Sequence, residues 1–271
     1  MAQANGNVRK MRTQHDTPVR YSLPIGDQLV EMNSLIGQTL RLEFLGEINC
    51  IACGRKTSKS FQQGYCFPCM RSLPECDQCI VRPELCHFDE GTCRDADWGL
   101  THCMQDHYLY LANSSGLKVG ITRGSQVPTR WMDQGARQAL PIIRADNRHN
   151  VGQLEVALKA FANDRTDWRK MLKGQSERVD LVGEKYLLLE RAEEVLSGLD
   201  ESIGWEVLGE ETVYEFEYPV EQYPEKVTSL NLDRQPQVEG RLAGIKGQYL
   251  IFDCGVMNIR KYGGYRLALS W

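Results

Sequence analysis

The sequence predicts an α+β protein, and three features predict it. Nine of the ten cysteines lie between Cys50 and Cys103, which marks a loop-rich segment organised by something other than an apolar core. Two β-like runs, YLYLA and LKVGIT, flank a polar turn at Asn113-Ser114-Ser115-Gly116 and are followed by helical patterns. From Trp205 onward the pattern turns to strands, with Gly247-Gln248 and Gly263-Gly264 as turns. The expected segments are 1–47, an N-terminal arm and strands; 48–104, the cysteine-rich region; 105–200, a small antiparallel sheet with flanking helices; and 201–271, a β-rich region.

A chain of 271 residues with 42% hydrophobic and 25% charged residues has the composition of an ordinary globular protein. No run approaches the ~18 apolar residues of a membrane helix. The start, MAQANGNVRKMRTQHDTPVR, is polar and basic and lacks the apolar stretch of a secretory signal, so a cytoplasmic protein without a membrane partner is expected.

Along the chain, LVEMNSLIGQTLRLEFLG holds an alternating strand over Thr39 to Leu45. After the hairpin, Pro128 is a good first helical residue, and a helix is expected from there to about Leu140. A second helix is expected in NVGQLEVALKAFAN, with Val151, Leu154, Val156, Leu158 and Phe161 apolar and Glu155 facing away from most of them. A third, EKYLLLERAEEVLSGL, ends at Gly198. The tail supplies TVYEFEYPV, VEGRLAGIKGQYLIF and VMNIRKYGGYRLAL as strands, which are expected to pack with the N-terminal strand. Trp98, Trp131 and Trp168 read as core residues.

The first cysteines read CIACGRKTSKSFQQGYCFPC. Cys50 and Cys53 form one C-x2-C and Cys66 and Cys69 another, twelve residues apart. Two such knuckles complete a tetrahedral thiolate site, so a structural zinc ribbon is expected. Gly54 follows the first knuckle, where the turn needs a positive φ. Cys76 and Cys79 form a third knuckle, and Cys86 and Cys93 are the first choice to complete a second zinc site; Cys103, His87, His102 and His107 are the alternatives. Iron–sulfur is the other group that four thiolates hold.

Charge is unevenly distributed. Residues 118–173 carry 11 Lys/Arg against 5 Asp/Glu, and residues 174–227 carry 4 against 15. The basic block suits a polyanion and the acidic block a solvated face. Within the basic block, phosphodiester chemistry needs a cation to grip phosphate and a carboxylate to hold a metal. Arg130, at the start of a helix, suits the first role, and Glu155 the second, since Mg²⁺ takes only one or two protein carboxylates. Lys118 opens the second strand, two residues before Gly120, whose missing side chain allows a close approach.

Tyr108-Leu109-Tyr110, Lys118-Val119-Gly120, Thr122-Arg123, Arg130 and Glu155 occur in an order that resembles the GIY-YIG nuclease core, over about Tyr108 to Phe161. The resemblance implies a three-stranded antiparallel sheet with flanking helices and metal-dependent cleavage of DNA or RNA, with catalytic Mg²⁺ or Mn²⁺. It places Tyr108 and Tyr110 in the first triplet, Lys118 in the second, Arg130 on phosphate and Glu155 on the metal. Tyr108 stands where the family has glycine, and Lys118 where it has tyrosine. The whole chain also resembles an uncharacterised bacterial family that joins a cysteine-rich segment to a KVGITR…PTRW stretch and a GIKGQYL tail. An alternative reading is a non-catalytic zinc-binding adaptor for nucleic acid or protein. No G-x-S-x-G elbow, P-loop or G-x-G-x-x-G is present. FPCMRSLPEC lacks the second cysteine step of a zinc deaminase.

Overall fold

A computed structural model of the chain describes residues 2–162, 166–174, 176–199 and 203–271. In chain order the first strands are β1 (Gln3–Asn7), β2 (Arg12–Gln14), β3 (Arg20–Ile25), β4 (Gln28–Glu31), β5 (Thr39–Asn49) and β6 (Lys56–Thr57). The cysteine-rich segment holds two short helices, α1 (Phe67–Ser72) and α2 (Ala96–His102). Next come β7 (His107–Asn113), β8 (Leu117–Arg123), α3 (Thr129–Asp133), β9 (Gln138–Ala145) and α4 (Arg148–Leu158). Helices α5 (Trp168–Leu172), α6 (Leu181–Arg191) and α7 (Glu193–Ser197) lead to β10 (Trp205–Val207) and β11 (Tyr214–Glu215). The chain closes with β12 (Gln237–Lys246), β13 (Tyr249–Phe252), β14 (Gly255–Asn258) and β15 (Tyr265–Ser270). No helix among the described residues is long and apolar enough to cross a membrane.

These strands form three antiparallel sheets. The largest runs β1-β15-β5-β12-β13-β14, with β6 paired to the end of β5, so β5 lies between two strands from the C-terminal part of the chain and β1 pairs with β15. The second runs β10-β9-β7-β8, with β11 also on β9; the third is the meander β2-β3-β4. In β7 the side chains alternate between two cores. Tyr110 and Ala112 join the core shared with the large sheet, where Trp131 packs edge-on to Tyr110 at 5.6 Å. Leu109 and Leu111 join the core that α4, α6 and α7 cover. A strand buried on both faces reads as a near-continuous apolar run, which is what YLYLA is.

Four expectations are corrected here. The helix from Pro128 stops at Asp133, and Gln138–Ala145 is a strand. Gly135 adopts φ +67°, and a Cβ there would fall 2.7 Å from Met171 Sδ, so the turn is set by glycine. β9 then pairs with β7 through a bulge: Leu109 faces Ile143 and Tyr110 faces Pro141, leaving Ile142 as the extra residue. Pro141, with no N–H to donate, is tolerated at such an irregularity. The third helix is two, α6 and α7, broken at Ala192, and it starts earlier because the Asp180 carboxylate accepts from Gly183 N at 3.0 Å. TVYEFEYPV contributes only the two residues of β11, and VMNIRKYGGYRLAL splits into β14, a 3-10 turn and β15. Of the three tryptophans only Trp131 is fully buried; Trp98 stacks on His102 and Trp168 on Tyr249 at the half-exposed surface.

The expected second helix is α4, capped by Asn147 accepting from Asn150 N at 2.8 Å; Asn163, the last residue of that expected helix, lies outside the described residues. α4 docks on the 3-10 turn Pro83–Leu85 of the cysteine-rich segment. Gly152 makes this possible: a Cβ would lie 2.6 Å from Pro83 Cβ and 2.7 Å from Glu84 N. Backbone cannot yield as a side-chain tip can. Gly152→Ala should therefore destabilise the protein by about 1–3 kcal/mol, despite alanine's better helix propensity. A denaturant midpoint that falls at constant slope is the expected result. An unchanged midpoint would mean that the turn does not press on α4.

Candidate functional site

The cysteine-rich segment contains two groups of thiols. Cys50 directly follows β5, Cys53 ends the first knuckle, Cys66 precedes α1 and Cys69 lies within it. The four Sγ atoms all lie within 4.8 Å of one another. Cys53 Sγ and Cys66 Sγ are 3.8 Å apart, well beyond a disulfide and equal to the edge of a tetrahedron built on ~2.3 Å metal–sulfur bonds, about 3.8 Å. Gly54 has φ +72° and donates its N–H to Cys50 O at 2.9 Å, closing the knuckle. Burial pushes the Cys50 thiol up, but backbone N–H groups of Cys53, Cys66 and Ala52 outweigh it and bring the thiol down to about 6. A thiolate held in this way is ready to ligate. The four cysteines could hold a metal such as zinc.

The later thiols surround a second point. Cys79, Cys86, Cys93 and Cys103 line one cavity of about 10 Å³, beside Pro74, Phe88, Trp98 and Gly99. Cys76 is buried but does not line it; Cys50, Glu75 and Arg94 are the charged groups that act on it. Burial pushes Cys79 up to about 12, with Asp77, Cys86 and Cys103 adding to the effect. Burial raises Cys86 and Cys103 as well. Such thiols stay protonated unless a cation between them inverts the balance. Asp77, Cys79 and His87 also bring one ligand atom each within 4.8 Å. Asp77, however, is paired with Arg94 at 2.6 Å, while His87 turns Nε2 toward Asp77 at 3.6 Å and has Nδ1 2.8 Å from Thr92 Oγ1. Two of the histidines have other roles. His102 stacks on Trp98 at 4.2 Å. His107 is fully buried, its ring Nδ1 lies 2.7 Å from Gln105 O, and burial pushes it down to about 4. It is a neutral core residue rather than an exposed base.

Between the cysteine-rich segment, the hairpin sheet and the large sheet lies an open cleft of about 770 Å³. Tyr110, Lys118, Arg130 and Glu155 all line it; Tyr108 does not. The hairpin register brings Tyr110 and Lys118 together. Tyr110 faces Gly120 and Ala112 faces Lys118 across the hairpin, so Tyr110, Lys118 and Gly120 share one face. What approaches Gly120 closely is the Tyr110 ring: a Cβ there would fall 2.7 Å from its hydroxyl. Tyr108 instead lies against Gly124, near the hairpin's other end. Gln134, just past α3, ties the site together by accepting from Lys118 Nζ at 2.6 Å and from Tyr110 Oη at 3.2 Å. Burial raises the Tyr110 hydroxyl, Arg130 lowers it and Glu155 raises it, so both charged groups lie within electrostatic reach of Tyr110.

The cleft also holds further charged residues. Arg123, Arg148, Arg260 and Lys10 join Lys118 and Arg130, against Glu75, Asp133 and Glu155. Burial lowers the Arg260 guanidinium, and Arg130 lowers it further. Burial lowers Arg148 too, and Arg130 adds to this, while the nearby Cys103 and Cys79 sulfurs oppose it. Arg130 thus lies within electrostatic reach of both Arg148 and Arg260, and all three line the cleft. Among the carboxylates, Asp133 is engaged by Lys10 at 2.6 Å and Gln248 at 2.9 Å. Glu155 is partly shielded, with 15% of its side chain exposed and Lys159 at 3.8 Å. Glu75 Oε2 is buried without a hydrogen-bond partner among the described residues. Arg260 comes from a turn near the C-terminus and Lys10 from the N-terminal segment, so no local spacing could have announced either.

No curated protein matches the chain, and no solved structure does. One family model, described as "Protein of unknown function (DUF2797)", matches residues 37–267, a span that holds every cysteine, the hairpin, α4 and Arg260. The chain belongs to that family.

Proposed function

We propose that the cleft binds the phosphodiester backbone of a nucleic acid and cleaves it, in the manner of a GIY-YIG-like endonuclease, with zinc at Cys50, Cys53, Cys66 and Cys69 as a structural support. The observation that carries the reading is the convergence of Arg130, Arg148 and Arg260 on one cleft with Tyr110, Lys118 and Glu155. The guanidiniums offer bidentate donors to phosphate oxygens. Glu155, with Glu75 nearby in the lining, is the residue to hold Mg²⁺ or Mn²⁺, which would supply charge neutralisation at the scissile phosphate. Lys118, buried and fixed by Gln134, presents an ammonium to a phosphate oxygen or to the attacking water. Tyr110, whose hydroxyl stays protonated, donates to Gln134 and orients that pair.

The test is cleavage of branched, single-stranded and duplex DNA and RNA with and without Mg²⁺ or Mn²⁺, joined to binding measured across salt. Metal-dependent products from at least one substrate are expected. Affinity should fall steeply with salt, and Arg130→Ala should weaken binding and reduce the magnitude of the log–log salt slope by about 1. Reversing Glu193 and Glu194, exposed on α7, should leave binding unchanged. Binding without cleavage on any substrate would move the protein to the non-catalytic adaptor reading. Salt-independent binding, or none to any polynucleotide, would leave a protein adaptor.

A further inference from the structure

We infer that Cys79, Cys86, Cys93 and Cys103 bind a second zinc ion through four thiolates, and that this ion anchors Arg148 and the start of α4 at the wall of the cleft. The first ground is packing. None of the three buried apolar clusters draws a residue from the segment between Ile48 and Leu109. Val81, Leu85 and Leu100 are instead 76%, 41% and 54% exposed. A stretch of this length with no core of its own needs cross-links to keep a single conformation.

The second ground is geometry. The four cysteines come from four separate turns: the 3-10 turn Gln78–Ile80, the residue after Pro83–Leu85, the loop before α2, and the end of α2. They line a cavity of about 10 Å³ together with Asp77 and His87, and their sulfurs are not gathered within 4.8 Å of one another as those of the first group are, so an ion would have to draw them in. The competing set of Asp77, Cys79 and His87 would have to break the 2.6 Å pair between Asp77 and Arg94. Cys76, though it directly precedes Asp77, the cap of the Gln78–Ile80 turn, lies off the cavity.

The third ground is what two of the ligands hold. Cys103 O accepts from Arg148 N at 2.8 Å, and Cys79 O lies 3.5 Å from Arg148 Nε. The guanidinium also donates to Ile80 O, next to Cys79. Arg148 is the first residue of α4, so the backbone of the metal loops fixes both an arginine of the cleft and the helix that carries Glu155. The metal site itself stands apart from the cleavage reading, because zinc content and coordination are measured without any substrate.

The experiment uses the full chain purified without chelators. Elemental analysis should find two zinc equivalents per chain. X-ray absorption at the zinc edge should show sulfur alone, at ~2.3 Å. Cys103→Ser should lower the content to one equivalent, whereas Cys76→Ser should retain two. One zinc in the wild-type chain, iron in place of zinc, or a mixture of sulfur with nitrogen and oxygen ligands would overturn the assignment. So would loss of one zinc from Cys76→Ser. If Cys103→Ser proves insoluble, the wild-type absorption spectrum and the Cys76→Ser content still decide it.

Discussion

Cys53→Ser should deprive the chain of its first metal and send most of it to the insoluble fraction. The size of that effect is informative because Cys53 is exposed. An exposed substitution that touches nothing else changes stability by no more than about 0.5 kcal/mol. A structural zinc site in a small module is worth far more, on the order of 10 kcal/mol, since the binding energy is folding energy. The knuckles also dock on the large sheet at points with no slack. Ser60 Oγ donates to Gly263 O at 3.1 Å, and Asn49 N, just before the first knuckle, to Gly264 O at 2.8 Å. A Cβ at Gly263 would fall 2.2 Å from Gln63 O, and one at Gly264 2.2 Å from Asn49 O. Loss of the metal therefore frees a segment on which the β14–β15 turn rests. Cys254→Ser, equally exposed and away from both thiol groups, is the control and should behave as wild type. Soluble yield, Tm and metal content read the outcome. Equal values for Cys53→Ser and the wild type would mean that the four cysteines hold no structural metal.

How much of this was legible in the sequence depends on how local each signal is. The C-x2-C knuckles at Cys50 and Cys66 were, because metal geometry demands ligands a fixed few residues apart and Gly54 marks the turn. The hairpin was, because two short apolar runs, YLYLA and LKVGIT, flank a polar turn within one local stretch. β9 was not: QALPIIRA has a proline and no clean period, and it becomes a strand only through its pairing with β7 across a bulge. The second group of thiols was only partly visible. Spacing alone does not distinguish a knuckle whose two thiols converge from a turn whose thiols face different neighbours, and Cys76 and Cys79 are of the second kind. In the cleft, the ordered set of Tyr110, Lys118, Arg130 and Glu155 could be read because all four belong to one contiguous unit. Arg260, Lys10 and Glu75 arrive from other parts of the chain, and only the tertiary fold brings them in. Gln134, the residue that joins Lys118 to Tyr110, carried no signal at all as one glutamine in a polar turn.

The most discriminating expectation falls on Glu155. Of the three carboxylates in the cleft lining, Asp133 already faces Lys10 and Gln248, and Glu75 lies in the cysteine-rich segment. Glu155 alone sits on α4, two turns in from Arg148 and next to Tyr110 and Arg130 in electrostatic terms. Glu155→Gln keeps volume, helix propensity and hydrogen-bonding reach while removing the charge that would hold a divalent cation. The pair with Lys159 at 3.8 Å is lost, but an i,i+4 pair of this kind contributes only about 0.3–0.5 kcal/mol, so the Tm should barely move. Cleavage should fall by ~10²-fold or more, the scale of losing one key electrostatic group at a reacting phosphate. Binding should persist or tighten, because three arginines then face phosphate with one negative charge fewer between them. A solvated helix residue predicts the reverse pattern: unchanged cleavage and unchanged affinity. Wild-type rates in Glu155→Gln, with full dependence on Mg²⁺ or Mn²⁺ retained, would remove Glu155 from the metal and leave the cleft an anion-binding site with its chemistry elsewhere.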